Sequence, residues 1–176
     1  AGYFGAKVEL RSAGNTALRK CVVKATAEVD RKDKLTALSK QGEQLLAARR
    51  AEESLAIFQQ AHAIVESPEE TSTSEDCLAR ATAELDRQKA MKTEMDAAVG
   101  HLEGEAPDAV SAIGRCNAAL GIETEEGTPE REALLKLLEA CTLWSEGDTA
   151  LAEWRGTEAL EKYEDSQDAA AVAAGI

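Results

Sequence analysis

Small and bulky apolar residues recur along this chain in an order that repeats three times. Gly42 is followed at steps of 12, 4 and 3 residues by Ser54, Phe58 and Ala61. Ala97 is followed at the same steps by Ala109, Ile113 and Cys116, and Gly147 by Ala159, Tyr163 and Ser166. Two closely packed antiparallel helices need this arrangement. Small side chains let the backbones approach, and one bulky side chain fills the seam.

Helical spacing of apolar positions predicts an element on each side of every seam. A long helix is expected from about Thr16 to Ala48, capped by Asn15, with room for a pause near Arg31–Asp33. A second covers about 51–65, with Leu55, Phe58, Ile64 and Val65 apolar. Residues 66–73 (ESPEETST) read as a loop in which Pro68 stops the preceding helix. Thr73 with Asp76 resembles a capping box at the head of a third helix over 74–101. Pro107 opens a fourth helix that ends near Leu120, with Gly121 as terminator. Thr128–Pro129 starts a fifth, running to about Trp154, and Glu130 and Glu132 suit its dipole. Arg155-Gly156-Thr157 breaks that helix, and Thr157 caps a sixth to about Ala174. The leading stretch AGYFGAKVELRSAG holds three glycines and no helical period, so residues 1–15 are expected as a flexible basic arm.

Composition supports the same fold class. Three prolines and 12 glycines in 176 residues, with few β-branched or aromatic runs, favour helix over strand. The expectation is an all-α domain over 16–176, built from hairpins at about 16–67, 74–121 and 128–175. The short helices start near 51, 106 and 157, a period that marks stacked helical hairpins. An antiparallel bundle of five or six helices is the alternative.

At Gly42/Leu45/Ser54/Phe58/Ala61, Ala97/Gly104/Ala109/Ile113/Cys116 and Gly147/Ala150/Ala159/Tyr163/Ser166 the chain resembles the tetratricopeptide repeat (TPR) family. The segment GEQLLAARRAEESLAIFQQAHAI is the closest match, and the resemblance covers about 35–67, 90–121 and 140–171. The family's unit is about 34 residues. The unit here exceeds 50, as though each first helix were extended at its N-terminal end. The resemblance implies a stacked solenoid whose first helices line a binding surface. Groove-facing positions would then be Ser39, Glu43 and Leu46, then Glu94, Ala98 and His101, then Trp144, Asp148 and Leu151. Family members that grip acidic chaperone tails place Lys and Asn there. Glu43, Glu94 and Asp148 in their stead imply that acidic tails are repelled and that a basic or apolar peptide or helix is preferred. Leu46, Trp144 and Leu151 read equally well as core.

Charge is unevenly spread. Residues 1–50 hold 11 Lys/Arg against 5 Asp/Glu, and 51–176 hold 9 against 28. A basic start and an acidic body suit contacts with oppositely charged protein neighbours. The basic stretch lacks interleaved aromatics, so nucleic acid is not expected as a partner. Tyr3 and Phe4 are the arm's candidate docking side chains.

Catalytic chemistry finds little footing. There is no P-loop, G-x-G-x-x-G, G-x-S-x-G or H-E-x-x-H. His101 with Glu103 and Glu105 is at most a weak cation site. Cys21, Cys77, Cys116 and Cys141 lie far apart without a C-x-x-C, which suits core thiols of an intracellular protein. Met91 and Met95, at i, i+4, read as core fillers. No run of 18 apolar residues suggests a transmembrane span. Residue 1 is Ala and no secretory pattern follows, so processing of a targeting segment stays open. The expected role is a non-enzymatic scaffold or structural subunit, without metal or cofactor. It would be intracellular and soluble, whether cytoplasmic, ciliary or organellar. A transient co-chaperone-type adaptor is the alternative.

Overall fold

In the computed structural model, which describes residues 2–103 and 107–174 and the side chains of 15–103 and 107–173, the described backbone is all-helical. Six helices follow one another among these residues: α1 Gly2–Ala47, α2 Ala51–His62, α3 Pro68–Leu102, α4 Ala109–Ile122, α5 Pro129–Ala152 and α6 Gly156–Ala174. No described residue lies in a strand. The chain clusters into two compact units, Ala1–Glu84 and Leu85–Ile176. The division falls inside α3.

Two of the three expected seams are present, and both turn on a glycine. In the first unit α1 and α2 approach so closely that a Cβ built on Gly42 would stand 2.4 Å from Cε1 of Phe58. In the second unit α5 and α6 do the same, and a Cβ on Gly147 would stand 2.7 Å from Cε1 of Tyr163. Both distances are below real carbon–carbon contact, so only glycine permits the ring to lie this close to the helix. The hydroxyls of the small seam residues then reach main-chain carbonyls across the interface. Ser54 Oγ donates to Gly42 O at 2.8 Å, and Ser166 Oγ donates to Ala140 O at 2.9 Å. Each serine is buried yet satisfied, which removes the penalty for burying an unpaired hydroxyl.

The two hairpins also share a turn. Arg49 and Trp154 both adopt left-handed φ, at 60° and 64°. Arg49 N donates to Leu46 O and Arg50 N to Leu45 O; Trp154 N donates to Leu151 O and Arg155 N to Ala150 O. This is the Schellman ending of a helix, with the left-handed position filled by a side chain where glycine is usual. The following residue begins the next helix at once, since Ser54 N donates to Arg50 O and Ala159 N to Arg155 O.

The middle pair behaves differently. Ala109 and Cys116 are buried as expected, but next to them on α3 it is Ala98 that is buried, with Ala97 only half-buried. The close backbone approach of α4 is to α5. Alanine at 97 carries the Cβ that Gly42 and Gly147 lack, so the α3/α4 space is filled by longer side chains. Met91, Ala119 and Leu134 form one cluster, with Met95, Leu120 and Ile122 beside it. Ala98, Ala112, Cys116, Leu137 and Cys141 form another.

Several element ends differ from expectation, each for a local reason. Residues 2–14, read from sequence as an extended arm, continue α1, because adding turns to a formed helix avoids the cost of nucleation. Asn15 therefore lies within α1 and does not cap it, and no pause breaks the helix at 31–33. Pro68 starts α3 and does not end α2. Ser67 caps it, with Glu70 N donating to Ser67 Oγ at 3.2 Å while Ser67 N donates back to Glu70 Oε2 at 3.4 Å. That reciprocal pair is the capping box, six residues before the one expected at Thr73. Asp108 caps α4 by accepting from Ser111 N at 3.0 Å, leaving Pro107 outside the helix. Gly121 sits inside α4, which ends at Ile122. Thr128 caps α5 as expected, accepting from Arg131 N at 3.2 Å, with Pro129 in the first turn. Helix α6 begins at Gly156, so Thr157 is not its cap.

The glycines make a direct test. Gly42→Ala should destabilise by about 1–3 kcal/mol, because the ring it would strike is 1% exposed and has nowhere to move. Gly147→Ala should cost less, since Tyr163 is half-exposed and can yield. Gly114→Ala, in α4 with open space around the position, should stabilise by about 1 kcal/mol. Thermal melts by circular dichroism check all three; equal effects at 42 and 114 would sink the seam argument.

Candidate functional site

A groove of about 700 Å³ runs through the first unit, and two of the sequence-selected residues line it. Phe58 and Ala61 of α2 form its floor, Leu35 and Ser39 of α1 one wall, and Ser74 and Cys77 of α3 the other. Helical spacing explains the α1 contribution, because positions 32, 35, 36, 39, 40 and 43 share a face.

Both ends of the groove are clamped by arginines. Arg31, only 13% exposed at its side chain, donates from Nε and Nη2 to Glu28 at 2.9 and 2.8 Å. It also donates from Nη1 and Nη2 to Glu70 at 2.8 and 3.0 Å, and from Nη1 to Ile64 O at 3.0 Å. All five guanidinium protons are therefore used. One side chain ties α1 to the head of α3 and to the α2–α3 connection. The same Glu70 closes the capping box. Its bonds to Arg31, aided by the amides of Glu66 and Ser67, hold its carboxyl at about 2, well below the usual carboxylate range. At the other end Arg80 of α3 grips Glu43 of α1 through two bonds of 2.7 and 3.0 Å. That pairing depresses the Glu43 carboxyl. Burial, with Glu43 beside it, pushes the Cys77 thiol up, so Cys77 stays a thiol and is a poor nucleophile.

The acids expected to repel an acidic partner are thus already engaged. Glu43 is paired with Arg80, Glu94 with Arg115 at 3.1 Å, and Asp148 accepts from Tyr163 Oη at 2.6 Å. The partners lie 37, 21 and 15 residues away along the chain, so no local pattern exposes them. Lys40, on the groove's rim, has no ion-pair or hydrogen-bond partner among the described residues.

The remaining candidates scatter. Leu46 is half-buried and outside the groove lining. In the second unit, Glu94 and half-buried His101 sit on α3, and His101 O accepts from Asp108 N at 2.8 Å. Trp144 packs edge-on to Tyr163, with ring centroids 6.3 Å apart at 77°, and Tyr163 also carries the bond to Asp148. Leu151 is exposed. The side chains of Tyr3 and Phe4 lie outside the described residues, as does Glu105.

Two surfaces escape the sequence argument. Trp154 is 94% exposed and held in the left-handed conformation, a position read from sequence only as a helix end. Leu18, Val22 and Val29 of α1 are exposed as well. The cysteines divide: Cys116 and Cys141 are buried together, Cys77 is half-buried and Cys21 is exposed, against the expectation of core thiols throughout. Cys116 is held protonated by its hydrogen bond to Cys141 and by burial. Among the described residues no group of three His, Cys, Asp or Glu is placed to hold a metal ion, and no helix is long and apolar enough to cross a membrane.

No protein-family model matches the chain, and comparisons with curated proteins and with solved structures return no significant match.

Two outcomes follow from this geometry. The folded state favours ionised Glu70, so the stability it contributes is complete above the unfolded value of about 4.3 and is lost as pH falls toward 2. Thermal melts over that window should fall more steeply for the native chain than for Glu70→Gln; parallel curves would remove the anchor from the account. Trp154→Gly should raise stability by about 1 kcal/mol, because it relieves a left-handed backbone and forfeits almost no buried surface. A lower melting temperature would mean that Trp154 packs in solution.

Proposed function

We propose that this chain is a non-enzymatic protein-interaction scaffold, a structural subunit of a larger assembly, that holds an apolar segment of a partner protein in the α1/α2/α3 groove. The observation that carries the reading is the groove's chemistry. Its charged ends are neutralised internally, by Arg31 on Glu28 and Glu70 and by Arg80 on Glu43. What remains for a partner is the floor of Phe58 and Ala61, the walls of Leu35 and Cys77, and the Ser39 hydroxyl. An aliphatic side chain entering such a space gains burial without having to break an ion pair. The TPR-like reading draws support from the α1/α2 and α5/α6 hairpins. One constant offset carries Gly42 to Gly147, Phe58 to Tyr163 and the turn residue Arg49 to Trp154. Stacked hairpins in this style and a plain antiparallel bundle both accommodate the groove.

Arg80 on Glu43 and Arg115 on Glu94 offset two of the three acids, and the Tyr163 hydroxyl occupies Asp148, which weakens the ground for a basic partner and favours an apolar one. The transient adaptor that grips an acidic tail has one observation in its favour, the unpaired Lys40 on the rim with Lys32 beside the same groove.

Selection of peptides displayed against the purified chain separates these readings. Apolar peptides should be enriched, and Ser39→Trp, which fills the groove from a half-buried wall, should weaken their binding about tenfold or more with the helical melt retained. Enrichment of peptides ending in a free acidic tail, with binding lost in Lys40→Glu, would transfer the assignment to the adaptor. Peptides that bind Ser39→Trp as well as the native chain would refute the groove.

A further inference from the structure

A second surface carries an inference independent of the groove. Every residue of α1 from 15 to 27 is exposed. Most helical stability in proteins comes from packing an apolar face. An apolar face is present. At about 100° per residue, Leu18, Val22 and Val29 fall within about 40° of one another, and they are 57–64% exposed. Arg31, Leu38 and Gly42, which face the body of the first unit, lie about 200° round the same helix. The stripe is therefore a separate face and no extension of the α1/α2 seam. Arg19 flanks it, about 60° from Val22, and 15–27 contains no acid.

The chain itself supplies a surface of opposite character. In the second unit a groove of about 370 Å³ between α5 and α6 is lined by Leu143, Ala169 and Val172, with Asp165 and Asp168 beside them. Lys136 and Glu139 in the same groove pair with each other at 2.7 Å. Val172 is 52% exposed. Arg19 and Asp168 make no ion pair among the described residues.

The geometry points to head-to-tail self-association, in which the α1 stripe of one copy seats in the acidic α5/α6 groove of a second copy. Apolar side chains meet apolar side chains, and Arg19 meets the carboxylates of Asp165 and Asp168. Pairing α1 with α1 would bring like charges together, which disfavours the symmetric dimer. A contact of two different patches does not close on itself, so each added copy presents a fresh stripe and a fresh groove.

Sedimentation velocity of the purified full chain over a range of concentrations tests this. Mass should rise with concentration at about 0.05 M salt and fall back toward the monomer at about 0.5 M. Val22→Asp removes the stripe and Asp168→Lys the groove, both at exposed positions, and each should weaken self-association about tenfold or more with helicity unchanged. The decisive measurement is their mixture. Val22→Asp keeps its groove and Asp168→Lys keeps its stripe, so mixing should give a one-to-one dimer that grows no further. A native chain that stays monomeric at every concentration overturns the proposal. So does undiminished association of Asp168→Lys, which would mean α1 pairs with α1. Binding of a monomeric native chain to phosphatidylserine vesicles through α1 would also overturn it and give the stripe to a membrane surface. The α1/α2/α3 groove takes no part, so these outcomes stand apart from the peptide experiment.

Discussion

Close approach of two helices, permitted by the absence of one carbon atom, is the constraint on which the hairpins of this protein depend. At Gly42 and at Gly147 an aromatic ring occupies the volume a Cβ would need. Everything nearby follows from that distance. Ser54 and Ser166 reach main-chain carbonyls only because the backbones are near, and a buried hydroxyl without such a carbonyl would be destabilising. Ala61 and Ala159, each 1% exposed, are small because nothing larger fits. Phe58, also 1% exposed, is the large side chain that fills the first seam. Truncation of a buried ring of this kind typically costs about 3–5 kcal/mol. In the first unit that is a large share of what a thin, alanine-rich core can supply.

Those seams were legible because their logic is local in type, if not in sequence: small residues at fixed steps around one bulky residue. Thr128–Pro129 was legible for the same reason, since the cap and the proline are adjacent. The head of α3 was misread because Pro68 serves equally to end one helix and to begin another. The choice is made by Ser67 and Glu70, whose reciprocal bonds form only when the chain turns there. The middle seam was misread because alanine is small enough to suggest a close approach and still too large to allow one of the Gly42 kind. Helical propensity was underrated in residues 2–14, where glycines mask a segment that simply prolongs α1.

Of the candidate site, Ser39 and Glu43 were found, and their meaning was not. Sequence places an acid at 43, 94 and 148; only the fold shows what sits opposite. Arg80, Arg115 and Tyr163 come from other helices and engage these three acids, the first two as ion pairs and the third through a hydrogen bond. The 33 acidic residues thus overstate how much negative surface meets solvent unpaired. Arg31 shows the converse. It reads as one more member of a basic stretch, yet its five donors are all spent inside the first unit.

Both tryptophans of the chain, Trp144 and Trp154, fall in the second unit, one leaning on Tyr163 and the other almost wholly in solvent. The first unit is consequently dark to indole emission. Fluorescence excited at the red edge follows the α5/α6 hairpin alone, whereas far-ultraviolet dichroism sums all the helices. A gap between the two signals during denaturation would therefore time the loosening of one half of the molecule against the other, with no label attached.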